Sequence, residues 1–307
     1  MLRCAPALTL LSIAMLSFVS LVPFHVQAGS ELEQRLRGQY DHKTLVLRNF
    51  YHGGRLSYDS AGSPANASAA SGEWTMDGFV RVKSLDLSGQ HLTIKADRLP
   101  VVNDGRSFQV NNEKENSLRI EVKFDPGAIT GDKVDTALSR IFLTAQDRLA
   151  NVVPDYWKPC VLAASTGQGG KQYHACSFPP GFSAIPGVVY SSQETPKSGE
   201  ASSGESNISE GTMFRPGKGV SPPRVLSQAA PEFSEPARRA KYRGTVVLSL
   251  FVDKMGQVRN IRILSPVGFG LDQKAVEAVS KWKFDPGRKD GEPVAVLIAV
   301  EVDFHLY

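Results

Sequence analysis

Between Thr44 and Asp125 apolar and polar positions alternate with a period of two. Leu118, Ile120, Val122 and Phe124 are interleaved with Arg119, Glu121, Lys123 and Asp125, the pattern of a strand with one buried and one wet face. Leu92, Ile94 and Ala96 repeat it, and Val80 and Val82 follow a turn at Asp77-Gly78. Thr44 to Phe50 reads as a further strand, closed by His52-Gly53-Gly54. Breaks such as Asn103-Asp104-Gly105 at this spacing predict an antiparallel sheet or an open barrel. One stretch changes period. Val134, Leu138, Ile141, Phe142, Ala145 and Leu149 recur at three-to-four spacing, a helical face of about four turns with Asp132 as its cap.

From Ser183 to Gly217 large apolar residues almost vanish and Ser, Gly, Glu and Pro take over. Such a segment cannot offset its ordering entropy by burial, so residues 183–217 read as a flexible linker. After it the periods return. Ser234 caps a short helix with Pro236 in its first turn, where a missing amide donor costs nothing. Val246, Leu248, Leu250 and Val252 face one way and Val247, Ser249 and Phe251 the other. A tight hairpin follows at Asp253–Gly256, with Gly256 suited to a positive φ, and Ile261 and Ile263 continue the buried face. Leu271, Ala275, Ala278, Val279 and Trp282 form one helical stripe, stopped by Pro286-Gly287. In the last strand Val294, Val296, Ile298, Val300, Val302 and Phe304 share a face. The opposite face turns polar at Glu301, Asp303 and His305, which suits a strand at the edge of its sheet. The fold class is α+β: two helices on a small antiparallel sheet over 218–307, preceded by a β-rich region with one long helix over 29–182.

The N-terminus changes the compartment. Arg3 precedes an apolar run from Ala5 to Val22, and Val26-Gln27-Ala28 offers small residues before a cleavage point, the layout of a secretory leader over residues 1–28. A retained inner-membrane anchor is the alternative, although at ~1.5 Å per residue the run spans roughly 27 Å, short of the ~30 Å hydrocarbon core. In an exported chain Cys160 and Cys176 default to a disulfide. The chain carries 35 Lys and Arg against 31 Asp and Glu, with no basic stripe interleaved with aromatics, so nucleic acid is not a partner. The six histidines form no metal or triad motif, and Gly-x-Ser-x-Gly, His-Glu-x-x-His and phosphate loops are absent. No catalytic residue, cofactor or metal is expected.

The ordered set PEFSEPARRAKYRG, TVVLSLFVD, QVRNIRILSP, LDQKAVEAVSKWKFDPGRKDGEPV and VLIAVEVDFHLY resembles the C-terminal domain of TonB-family energy transducers over about residues 218–307. The first region resembles no family. The resemblance implies a periplasmic adaptor, not an enzyme, that binds the TonB box of outer-membrane transporters by strand addition and serves energy-dependent transport of nutrients. Its implied partners are TonB-dependent transporters and an ExbB/ExbD-like inner-membrane motor. The strand nominated for docking carries Val296, Ile298, Val300, Glu301, Val302 and Asp303. Two departures bear on the motor: Leu21 stands four residues before His25 where the type protein's anchor has Ser, and the spacer lacks long Glu-Pro and Lys-Pro repeats. A passive envelope-binding module without motor coupling is the alternative function.

Overall fold

A computed structural model describes residues 24–65, 70–111, 116–127, 129–167, 170–188 and 213–306. The first half holds helices α1 (Phe24–Tyr40), α2 (Gly131–Ile141) and α3 (Lys158–Thr166). Its strands are β1 (Thr44–Val46), β2 (Arg55–Tyr58), β3 (Phe79–Ser88), β4 (His91–Arg98), β5 (Val101–Asn103), β6 (Phe108–Val110) and β7 (Ser117–Lys123). Five of them form one sheet in the order β1-β3-β4-β7-β2. The period-two strands behave as their pattern requires. Val80, Val82, Leu92, Ile94, Leu118, Ile120 and Val122 are buried beneath Leu36 of α1 and Val134, Ala137, Leu138 and Ile141 of α2.

Four expectations for this half need correction. The sheet is mixed, because β2 runs parallel to β7; the long connection between them permits the crossover that a parallel pair needs. The long helix is shorter, since α2 stops at Ile141 and Phe142 is extended at φ −110° and ψ 153°. There the edge of β1 captures the chain, with Arg48 N–H donating to Ile141 O at 2.8 Å and Leu143 N–H to Val46 O at 2.8 Å. Leu149, on the expected helical face, is buried elsewhere. The cap is Thr130, whose hydroxyl accepts from Lys133 N–H at 3.4 Å, while Asp132 lies in the first turn. α1 and α3 were not expected, because the cleavage point assigned after Ala28 falls inside α1 and Cys160 was assigned to a disulfide loop. The leader residues 1–23 lie outside the described residues. No described helix is long and apolar enough to cross a membrane.

The second half adds β8 (Arg224–Ser227), α4 (Glu235–Arg239), β9 (Gly244–Val252), β10 (Val258–Ser265), α5 (Leu271–Val279), β11 (Lys283–Asp285), β12 (Arg288–Lys289), β13 (Glu292–Pro293) and β14 (Val296–Phe304). Two helices lie on an antiparallel sheet of order β10-β9-β14. Ser234 caps α4 by accepting from Ala237 N–H at 3.2 Å, and its own hydroxyl donates to Phe269 O at 2.6 Å. Gly256 turns the hairpin at φ +75°. A Cβ there would meet Phe284 O at 1.8 Å, so the turn admits only glycine. Ile263 is buried but Ile261 only half so, since a bulge between Arg259 and Arg262 breaks the alternation.

The two halves share one core. Val246, Leu248, Leu250, Leu271 and Phe304 belong to the same apolar cluster as Val101, Phe108, Trp74 and Trp157. Trp157 meets Trp74 edge-on at 5.0 Å between ring centroids. The stretch drawn as linker is narrower at both ends than 183–217. Ile185 and Val188 are buried in that core, and Phe214 pairs with Val296 of β14. Residues 189–212 lie outside the described residues.

Candidate functional site

β14 is the last strand of its sheet and pairs with β9 through nine consecutive positions, Val296 opposite Val252 to Phe304 opposite Gly244. An antiparallel strand sends the N–H and C=O of alternate residues to opposite sides. The parity is set by Phe214, which lies on the far side from β9. Its N–H donates to Ala295 O at 3.2 Å and its carbonyl accepts from Leu297 N–H at 2.9 Å. Odd-numbered residues therefore direct their backbone groups outward. Ala295 and Leu297 are engaged by Phe214, and Ala299, Glu301 and Asp303 find no backbone partner among the described residues.

This parity re-sorts the nominated residues. Glu301 and Asp303 present donors and acceptors outward, whereas Val296, Ile298, Val300 and Val302 turn theirs to β9. The side chains of Val296 and Val302 are buried, and those of Ile298 and Val300 are half-buried against the core that holds Val302. Ala299, exposed and outward-directed, was missed; once Leu297 is known to point outward, alternation alone places it. Asp303 accepts a hydrogen bond from Thr245 Oγ1, which steadies that end of the strand.

The opposite edge of the sheet is covered. Ile263 N–H of β10 donates to Tyr156 O at 3.0 Å. Beyond β10 the chain pairs with β5, Asn103 N–H to Val267 O at 2.8 Å and Phe269 N–H to Val101 O at 2.9 Å. Cys160 in α3 and Cys176 are bonded at 2.05 Å, and Cys176 Sγ sits 3.7 Å from Leu264 O, so the bridged loop lies along the same side. One edge is walled off by the first half, while from Ala299 onward the other has no backbone partner among the described residues, which concentrates strand-adding capacity on β14.

Buried carboxyls hold the wall. Asp272, fully buried at the start of α5, accepts from Val267 N–H at 2.8 Å and Gly268 N–H at 2.7 Å. Gly268 stands at φ +85°, and a Cβ there would meet Val101 O at 2.3 Å, so the crossing to β5 requires glycine. Across the junction Glu73 accepts from both the amide and the hydroxyl of Thr75, whose Oγ1 accepts from Gly270 N–H at 3.2 Å. Burial pushes the Glu73 carboxyl up to about 8, helped by the nearby Asp272, and burial pushes Asp272 up to about 7 against its two amide donors. Burial likewise raises the Tyr156 hydroxyl, with Glu73 and Asp272 adding to it. Among the described residues, no group of three or more His, Cys, Asp or Glu is placed to hold a metal ion.

Two short helices on a three-stranded antiparallel sheet, with the final strand as an open edge, define an αβ module suited to accepting an extended strand. Known sequences narrow that class. Residues 229–306 match the family described as Gram-negative bacterial TonB protein C-terminal, and this segment is a TonB-family C-terminal domain. Protein TonB of Vibrio cholerae is 35% identical over 99 residues, 32% of this chain and 41% of that protein. Protein tonB2 of Pseudomonas aeruginosa is 34% identical over 82 residues, 26% of this chain and 30% of that protein. The chain thus spans less than half of the length of the curated relatives it matches. A solution NMR structure of the Pseudomonas aeruginosa TonB CTD aligns at 18% identity with a TM-score of 0.24, covering 31% of this chain and 96% of that one.

Proposed function

We propose that this protein is an exported, non-catalytic TonB-like adaptor in the periplasm whose β14 edge takes up the TonB box of outer-membrane transporters. The box would enter as an added strand, with backbone pairing supplying most of the affinity, in the service of energy-dependent nutrient uptake. The observation that carries the reading is the outward backbone of Ala299, Glu301 and Asp303, without a backbone partner among the described residues, within a segment that matches the TonB C-terminal family. The acidic side chains of Glu301 and Asp303 favour a box with a basic residue beside them. Calorimetry of the full exported chain with peptides from the plug N-termini of its own organism's transporters tests this. Saturable binding is expected, and a complete absence of binding across the panel overturns it.

A second reading, a passive envelope-binding module without an ExbB/ExbD-like motor, is favoured by the shared core. A module packed into Trp74, Phe108 and Trp157 is mounted on a folded body and does not hang at the end of a tether. The mass of the mature N-terminus separates the two. A protein beginning at Gly29 has no anchor through which to be pulled, whereas retention of Met1 supports motor coupling.

A further inference from the structure

The open edge is not open along its whole length. Phe214 already makes the two bonds of an added parallel strand, at 3.2 Å to Ala295 O and 2.9 Å from Leu297 N–H, with its bridge centred on Val296. The Lys289 ammonium sits 4.8 Å from the centroid of its ring, a half-buried cation–π contact that holds the side chain. The next rung of a parallel ladder would need an amide at position 216 to donate to Leu297 O. Position 216 is proline, which has no amide to give. Past it, Gly217, Lys218 and Gly219 adopt φ of +102°, +50° and +82°, and Gly217 and Val220 bond each other at 2.9 and 3.1 Å. The chain turns away after a single rung.

We propose that Met213–Phe214 is a resident occupant of the β14 edge, a strand added in cis that an incoming peptide must displace to use the full edge. This rests on the strand-addition reading of β14 and adds a regulation to it. An arriving peptide pairs first with Ala299, Glu301 and Asp303, then gains Leu297 and Ala295 only if Phe214 leaves. Pro216 keeps the occupant to one rung, so it is held weakly enough to be exchanged.

The experiment uses the full exported chain, its Phe214→Pro variant, which removes the donor to Ala295, and its Phe214→Ala variant, which keeps the amide but loses the ring. Hydrogen exchange is read at Leu297, with Ile298 and Val300 as internal controls because their amides face β9. A fluorescent peptide copying Glu210–Gly217 is titrated in trans as the competitor. An edge filled in about nine molecules of ten binds a competitor about tenfold more weakly, so Phe214→Pro should tighten the probe by about tenfold. It should speed Leu297 exchange by a similar factor and leave Ile298 and Val300 unchanged, with Phe214→Ala between parent and Phe214→Pro. Unchanged Leu297 exchange, or equal probe affinity in parent and Phe214→Pro, overturns the resident strand while leaving strand addition standing. A probe that binds none of the three chains also overturns it, and the plug-peptide calorimetry then judges the strand-addition reading separately.

Discussion

Glu301→Pro and Val300→Pro differ by one position and should fail in opposite ways. Glu301 is opposite Val247 and directs its N–H away from β9, so proline there removes nothing from the existing ladder. It does remove one donor from any strand that adds outside, and its ring stands where that strand must approach. The lost hydrogen bond accounts for ~1 kcal/mol and the obstruction for about as much again, so affinity for a plug peptide should fall by roughly 1–3 kcal/mol, or about 5–150-fold. Stability should drop by no more than about 1 kcal/mol, since edge positions tolerate proline. Val300 is opposite Leu248, and its N–H is a rung of the β9 ladder; proline there should destabilise the protein by ~3 kcal/mol or more. Glu301→Ala isolates the charge and should alter encounter rate more than affinity. Calorimetry gives the affinities and urea denaturation the stabilities, both on the full chain. Normal peptide binding by a folded Glu301→Pro protein would falsify the assignment of this edge, and so would equal stability losses in the two proline variants.

Asp272→Ala leaves the buried amides of Val267 and Gly268 without acceptors and should cost ~2–4 kcal/mol in urea denaturation; a loss under about 0.5 kcal/mol would show that the loop repairs itself. Glu73 and Asp272 hold their protons more tightly folded than unfolded, where values of 4.5 and 3.8 apply. Their contribution is therefore full below about pH 4 and is lost as pH rises through about 7 and 8, a slope that Glu73→Gln should flatten. Reduction of Cys160–Cys176, which closes a separation of 16 residues, should lower stability by ~3 kcal/mol, measured by denaturation with and without reductant. Limited proteolysis should cut first within 189–212, and the nicked halves should still elute as one species on size exclusion because they share a core; two separate peaks would contradict that packing.

Much of this molecule was legible without coordinates. Period-two runs located β3, β4, β7, β9 and β14 because a half-buried strand must alternate, and Ser234 with Pro236 announced α4 through capping chemistry that acts within one turn. The polar turn at Glu301 and Asp303 pointed to an edge. What sequence could not carry was anything set by a distant neighbour. Leu149 fits the helical spacing of α2, yet the helix ends at Ile141 because β1 captures Phe142 and Leu143 from nearly a hundred residues away. Ile185 and Val188 stand at the mouth of a polar stretch, and only packing against distant segments such as Leu149 and Ser165 makes them core. Alternation divides β14 into two faces, but it is silent on which backbone groups meet β9 and which meet solvent. That parity comes from the register with β9 and from Phe214, a contact between segments whose sequences hold no mutual signal. Local periodicity is written in side chains along the chain; edges, registers and shared cores are relations between segments, and only the folded arrangement decides them.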